Sequence, residues 1–100
     1  MKNNKTNILE QLDIVLKKRK KEDSSKSYVS SLYIKGNEAI NNKILEECNE
    51  YIDSTSNNDR NHMIHEATDL WFHTLVSLSL NDISSSDILK ELERRFGLSG

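Results

Sequence analysis

Apolar residues recur along this chain at the spacing of amphipathic helices, and no segment keeps the polar/apolar alternation that marks a strand. The first predicted helix runs from about residue 7 to residue 22. Asn7 can cap it together with Glu10 in a capping box, and Thr6 is the alternative cap. A short second helix is predicted over Tyr28 to Lys35. It stops at Gly36, because glycine readily takes the left-handed backbone that ends many helices.

Three further helices follow in the second half of the chain. The third spans about residues 37–54, and the fourth is capped by Asn58 or Asp59 and ends near Leu80. The last begins near Ser84. The short polar turn between the third and fourth helices makes them antiparallel neighbours. The predicted fold is an all-α, antiparallel bundle of four to five helices.

The fourth helix carries a broad apolar arc. Its C-terminal half is apolar on nearly all sides, since Phe72, Val76 and Leu80 lie outside its main apolar arc. A helix of that kind lies at the centre of a fold or in an oligomer interface, so a homodimer is expected. The arc comprises Met63, Ile64, Ala67, Leu70, Trp71, Leu75 and Leu78, and the apolar face predicted for the third helix comprises Ile40, Ile44, Leu45, Cys48, Tyr51 and Ile52.

Two acidic pairs lie within these two helices, Glu47 with Glu50 and Glu66 with Asp69. Residues three apart share a helix face, so two adjacent antiparallel helices would direct four carboxylates to one place. Carboxylates held that close repel one another unless a cation lies between them. Oxygen ligands suit a hard ion such as Mg²⁺, which in turn suits a phosphate-bearing substrate.

Each of these features also has a structural interpretation. An acidic pair taken alone is common on a solvated helix surface, where lysines pair with it. His73 can contact substrate, or it can be a core histidine that donates to a backbone carbonyl. Lys43 lies one turn before Glu47 and can neutralise substrate phosphates or simply pair with that glutamate. His62 and His65 are interpreted as surface residues.

Composition narrows the class of protein. A chain of 100 residues is expected to form one domain, residues 1–100, and its net charge of -2 gives no case for nucleic-acid binding. No apolar run approaches the length of a membrane span, and the N-terminus lacks the apolar centre of a signal peptide. Cys48 is the single cysteine, which suits a reducing compartment. A cytoplasmic protein that binds no membrane is therefore expected.

The acidic pattern resembles the E-E-x-x-E followed by E-x-x-D of the all-α, MazG-like nucleoside triphosphate pyrophosphatase superfamily. Segments beside it resemble one family within it, the phosphoribosyl-ATP pyrophosphohydrolases of histidine biosynthesis. Leu45 stands where that family usually has glycine, and Val29 where it usually has threonine. The similar segments are Ser27–Gly36 (S-Y-T…K-G), Lys43–Glu50 (K-x-G-E-E-x-x-E), Asn58–Arg60 (G-D-R), Glu66–His73 (E-A-A-D-L-L-Y-H) and the tail Leu89–Gly97.

The resemblance implies a homodimer that hydrolyses phosphoribosyl-ATP to phosphoribosyl-AMP and pyrophosphate. Its implied Mg²⁺ ligands are Glu47, Glu50, Glu66 and Asp69. Either Glu46 or Glu50 would be the general base, and the phosphates would meet Lys35, Lys43 and His73. Two alternatives stay open. A house-cleaning pyrophosphohydrolase would use the same carboxylates on non-canonical nucleotides, and a helical interaction module would offer them to a basic partner.

Overall fold

The computed structural model describes residues 7–23, 25 and 27–97. Within them the chain forms helices and no strand, which confirms the all-α prediction. None of these helices has both the length and the apolar character needed to cross a membrane. The helices are α1 (Ile8–Arg19), α2 (Tyr28–Lys35), α3 (Asn37–Ser54), α4 (Arg60–Leu80) and α5 (Ser85–Arg95), and α3 and α4 share the most extensive packing.

The start of α1 follows its sequence signal, but its end does not. The Glu10 N–H donates to Asn7 Oδ1 at 2.9 Å and the Asn7 N–H donates to Glu10 Oε1 at 3.2 Å, a complete capping box. Thr6 lies outside the described residues. The helix ends at Arg19, earlier than predicted. There the Ser30 hydroxyl, from α2, donates to the Arg19 carbonyl at 3.1 Å and so satisfies a carbonyl of the last turn.

A single residue, Gly36, joins α2 to α3. Its φ of 86° has the predicted positive sign, but its ψ of -166° is extended rather than left-handed helical. That combination is open almost only to glycine. The Gly36 N–H donates to the Leu32 carbonyl at 2.9 Å, and the Gly36 carbonyl accepts from the Ile40 N–H at 3.2 Å. Gly36 therefore closes one helix and opens the next, which fixes the angle between α2 and the α3–α4 hairpin.

The core corrects the predicted orientation of α4. Val76 is fully buried and Phe72 and Leu80 pack against the core, although all three were placed outside the main arc. Trp71 is 65% exposed and Ile64 is also exposed, so part of the main arc faces outward. Because this helix is apolar on nearly all sides, its sequence pattern cannot choose the buried side. The core consists of Leu16, Leu32, Tyr33, Ile40 and Val76.

The same correction applies to α3. Leu45 and Ile52 are exposed, whereas Glu47 is buried with only 6% of its surface exposed. Ile40, Glu47 and Ser54 are the buried residues of this helix, and they follow one another at seven-residue intervals. The Glu47 carboxylate thus occupies a core-facing position of the hairpin instead of lying beside the apolar face.

A buried polar contact holds α5 against α1. The Asp13 carboxylate accepts from the Ser85 backbone N–H at 3.0 Å and from the Ser85 hydroxyl at 2.7 Å. Ser85 is the first residue of α5, so a negative charge lies at the positive end of that helix. Asp87 also accepts from the Ser84 backbone N–H at 3.0 Å.

Candidate active site

The α3–α4 hairpin brings the two acidic pairs together. Ligand oxygens of Glu47, Glu50 and Glu66 lie within 4.8 Å of one another. Ligand atoms of Glu66, Asp69 and His65 form a second group within the same limit, so Glu66 belongs to both. The inward side of α4 runs from Glu66 through Asp69 and His73 to Val76, which explains how this acidic strip faces α3.

The electrostatics of this cluster centre on Glu47. The pKa of its carboxyl is raised to about 7, chiefly by burial and then by a hydrogen bond with Glu50 and by the charges of Asp69 and Glu50. Without a cation, this carboxyl therefore carries a proton for much of the time near neutral pH. One oxygen of Glu66, Oε1, is buried and has no hydrogen-bond partner among the described residues.

The donor set fits a hard divalent cation. All four central side chains, Glu47, Glu50, Glu66 and Asp69, offer carboxylate oxygens, which Mg²⁺ prefers. A cation would offset the burial and the repulsion that hold a proton on Glu47, and it would give Glu66 Oε1 a partner. An unpartnered buried oxygen is costly, so its presence points to a ligand.

Two histidines lie against the acids of α4. His62 Nε2 is 3.3 Å from Glu66 Oε2, and His65 Nε2 is 3.3 Å from Asp69 Oδ2. Both histidines reach the solvent, as the sequence indicates, but their pairing with the acids was missed. The i, i+4 spacing of each pair was the signal that could have found it.

His73 lies behind the cluster and is almost completely buried. Its Nδ1 is 3.1 Å from the Asp69 carbonyl oxygen, and its Nε2 is 2.9 Å from the Tyr28 hydroxyl oxygen. Nδ1 also lies 3.7 Å from Glu47 Oε1. Both ring nitrogens thus have partners within the protein. The alternative in which His73 donates to a backbone carbonyl matches this geometry, whereas Tyr28 was not among the candidate site residues.

Lys43 pairs with Glu46 rather than with Glu47. The Lys43 ammonium donates to Glu46 Oε1 at 2.8 Å, and both side chains are partly exposed. This hydrogen bond holds the pKa of Glu46 below its usual value and the pKa of Lys43 above its usual value. Glu46 is therefore turned towards the solvent-facing side of α3, and it belongs to neither group of clustered ligand atoms.

The sequence is similar to a family of known proteins. The family model for phosphoribosyl-ATP pyrophosphohydrolase matches residues 9–96. The chain belongs to the phosphoribosyl-ATP pyrophosphohydrolase family. It is 48% identical over 99 residues to a phosphoribosyl-ATP pyrophosphatase of Hydrogenovibrio crunogenus, a match that covers 93% of this chain and 86% of that protein. Over 93 residues it is 50% identical to the Vesicomyosocius okutanii protein of the same description, covering 93% of this chain and 89% of that protein.

A more distant relative gives the same family. The phosphoribosyl-ATP pyrophosphatase of Neisseria gonorrhoeae is 40% identical over 93 residues, covering 93% of this chain and 87% of that protein. Within this phosphoribosyl-ATP pyrophosphohydrolase fold, the structure brings Glu47, Glu50 and Glu66 together.

Lys35 lies exposed at the end of α2, and among the described residues no ion pair joins it to these acids. Its contact with substrate stays a prediction.

Proposed function

We propose that this chain hydrolyses phosphoribosyl-ATP to phosphoribosyl-AMP and pyrophosphate in histidine biosynthesis, with its clustered carboxylates holding Mg²⁺. Membership of the phosphoribosyl-ATP pyrophosphohydrolase family supports the reaction. The buried Glu47 carboxyl, held against Glu50 and Asp69 with its pKa raised to about 7, supports the metal most strongly. Such a group lowers the stability of the folded protein once it is ionised, so a bound cation is the simplest reason for keeping it in the core.

Glu47, Glu50, Glu66 and Asp69 are the residues proposed to hold the ion. Mg²⁺ would supply positive charge that stabilises the departing pyrophosphate. Glu47 and Glu66 fix the buried side of the site, because their side chains are the least exposed of the four. Glu50 lies at the exposed edge, where substrate and water enter.

Glu50 is also the better candidate for the general base. Glu46 is engaged with Lys43 at 2.8 Å, and this hydrogen bond holds its pKa below the usual value, which weakens it as a base. Glu50 lies within the carboxylate cluster and can orient a water molecule there. Glu46 would then hold the Lys43 ammonium in place to meet the phosphates of the substrate.

The test is pyrophosphate release from phosphoribosyl-ATP, with Mg²⁺ and with EDTA, beside a panel of ordinary and modified nucleoside triphosphates. The proposal predicts Mg²⁺-dependent turnover of phosphoribosyl-ATP alone. In Asp69→Asn, turnover should fall at least about a hundredfold while the far-ultraviolet circular dichroism is unchanged. Glu93→Gln, at an exposed acid of α5, is the matched control and should keep full activity.

Each other outcome contradicts a different part of the proposal. Turnover of the nucleotide panel in preference to phosphoribosyl-ATP would make the protein a house-cleaning pyrophosphohydrolase with the same metal site. Near-normal activity in Asp69→Asn would remove that residue from the site. No turnover of any nucleotide and no stabilisation by Mg²⁺ would leave only the helical interaction module.

We also propose that the protein is a homodimer, joined through the outward side of α4 and α5. These helices leave exposed Trp71, Ile88 and Leu92, and with Leu9 they border an apolar groove of about 500 Å³. An open apolar surface of this kind is typical of a subunit interface. Trp71→Glu should convert the dimer to a monomer in analytical ultracentrifugation, whereas Ile34→Glu, at an exposed apolar residue of α2, should not. A wild-type monomer at micromolar concentration would contradict the proposal.

The cytoplasm is the proposed location. The Cys48 thiol is free in the described part of the chain, as is usual where thiols stay reduced. The substrate is an ATP derivative, and ATP is abundant in that compartment. Fractionation that placed the protein outside the cytoplasm would contradict this.

A further inference from the structure

The α2 helix adds an aromatic residue to the edge of the carboxylate cluster. Tyr28 is the first residue of this helix, and the Ser27 cap fixes its position by accepting from the Ser30 N–H at 3.0 Å. The residue is 49% exposed, although its hydroxyl is hydrogen-bonded to His73. A half-open ring with an anchored hydroxyl offers a rigid surface to a ligand.

His73 is the residue that anchors it. A carbonyl oxygen can only accept, so the contact with Asp69 places a hydrogen on His73 Nδ1. In the neutral ring Nε2 is then an acceptor, and the Tyr28 hydroxyl donates to it at 2.9 Å. The two rings also meet edge to face, with centroids 5.8 Å apart and planes at 86°. Because both nitrogens are engaged within the protein, His73 holds Tyr28 instead of offering a free donor to a phosphate.

Charged residues of the proposed site lie near Tyr28. Burial raises the pKa of its hydroxyl, and Lys43, Glu47 and Glu46 are the charged groups near enough to influence it. Of these, Glu47 is a proposed metal ligand, and Lys43 is proposed to contact the phosphates of the substrate. The substrate that reaches them also carries an adenine base and ribose groups, for which an aromatic ring is a suitable partner.

We infer that Tyr28 contacts the nucleotide part of the substrate through its exposed ring and that His73 is a positioning residue that holds this ring in place. The inference rests on the proposed function, because it assumes a nucleotide at the carboxylate cluster. It assigns substrate recognition to α2, while α3 and α4 supply the carboxylates.

Steady-state kinetics with phosphoribosyl-ATP test the contact. Tyr28→Ala should raise KM about five- to a hundredfold, which is the usual effect of losing an aromatic surface for a base, and should leave kcat within about twofold. The half-saturating Mg²⁺ concentration should not change. Phe96→Ala, at an exposed aromatic residue at the end of α5, is the matched control and should leave KM unchanged.

Product inhibition separates the two ends of the substrate. The Ki of phosphoribosyl-AMP should rise in Tyr28→Ala by about the same factor as KM, whereas the Ki of pyrophosphate should stay constant. An equal rise in both would mean that the substitution disturbs the carboxylates, and it would overturn the inference. So would an unchanged KM in Tyr28→Ala.

A double-mutant cycle tests the role of His73. Tyr28→Phe removes the hydroxyl but keeps the ring, so it should raise KM less than Tyr28→Ala does. His73→Gln should raise KM in the wild-type background and have no further effect on KM in Tyr28→Phe, because the contact is already lost. Fully additive effects would contradict the positioning role.

These outcomes remain decisive if Tyr28→Ala does not fold, since Tyr28→Phe and the cycle address the same contact with a smaller change. Failure of the proposed function is distinguishable, because then the wild-type protein itself would not hydrolyse phosphoribosyl-ATP. If the wild-type protein hydrolyses phosphoribosyl-ATP and Tyr28→Ala has the same KM as the wild type, only this inference is contradicted.

Discussion

Replacing Glu47 with glutamine should stabilise the metal-free protein at pH 8 while abolishing turnover. The Glu47 side chain is 8% exposed and has the carboxyls of Glu50 and Asp69 as neighbours. Glutamine has nearly the same shape as a protonated glutamate, so it fills the same space without the charge. The substitution thus removes a buried negative charge and leaves the packing of α3 on α4 in place.

The magnitude follows from the pKa of Glu47, which is about 7 in the folded protein against a reference value of 4.5. A raised carboxyl pKa means that the folded state binds this proton more tightly than the unfolded state. The resulting stabilisation is fully present below pH 4.5 and is lost as the pH rises to about 7. At pH 8 the loss amounts to about 3 kcal/mol, which the glutamine variant does not suffer. For a chain of this size, that difference corresponds to roughly 10–20 °C in Tm.

Thermal denaturation followed by circular dichroism in EDTA, at one protein concentration, measures the effect at pH 5 and pH 8. The wild-type protein should lose stability between these values, Glu47→Gln should lose much less, and the Glu93→Gln control should behave like the wild type. Excess Mg²⁺ should then reverse the order at pH 8, because only the wild-type site binds it well. A glutamine variant that is equal to or less stable than the wild type at pH 8 in EDTA would refute the reasoning.

Substitutions at three other positions test the fold by thermal or denaturant unfolding. Asp13→Ala leaves the buried Ser85 without its acceptor, so it should lower the free energy of unfolding by about 2–3 kcal/mol. A decrease of less than about 0.5 kcal/mol would contradict the contact. The Cβ that Gly36→Ala adds meets no atom within 4 Å. The substitution should therefore lower the free energy of unfolding by about 1–3 kcal/mol through backbone strain alone. An unchanged free energy of unfolding would mean that residue 36 has a different backbone conformation. Because the Ile40 side chain is fully buried, Ile40→Ala should lower the free energy of unfolding by about 2–5 kcal/mol and Ile40→Val by only about 1 kcal/mol. Equal decreases in the two variants would argue against close packing.

Local signals in the sequence were sufficient to locate the helices. The bounds of α2 and α3 match the prediction because Ser27, Gly36 and the polar turn after Ser54 act through neighbouring residues. The end of α1 was predicted too late, since it depends on residues far along the chain. Lys20 reaches across to the Ser79 carbonyl at 2.9 Å and to Asp82 at 2.8 Å, and no window around residue 20 contains that information.

The acids of the site could be named from the sequence, but their environment could not. Glu47 and Glu66 each belong to a pair of acids three residues apart, a pattern that is visible in the sequence of a helix. The burial of Glu47 depends on which side of α4 faces α3, and a helix whose C-terminal half is apolar on nearly all sides does not decide that by its sequence pattern. Tyr28 was missed because it belongs to a different helix, and only the packing of α2 brings its hydroxyl to His73.

The contact between Asp13 and Ser85 has a consequence for folding during synthesis. It joins residues 72 positions apart, so it cannot form until α5 has left the ribosome. The carboxylates of the site come from two consecutive helices, which are synthesised earlier and can pair through local contacts. The nascent hairpin therefore gathers its negative charges before α5 closes against α1.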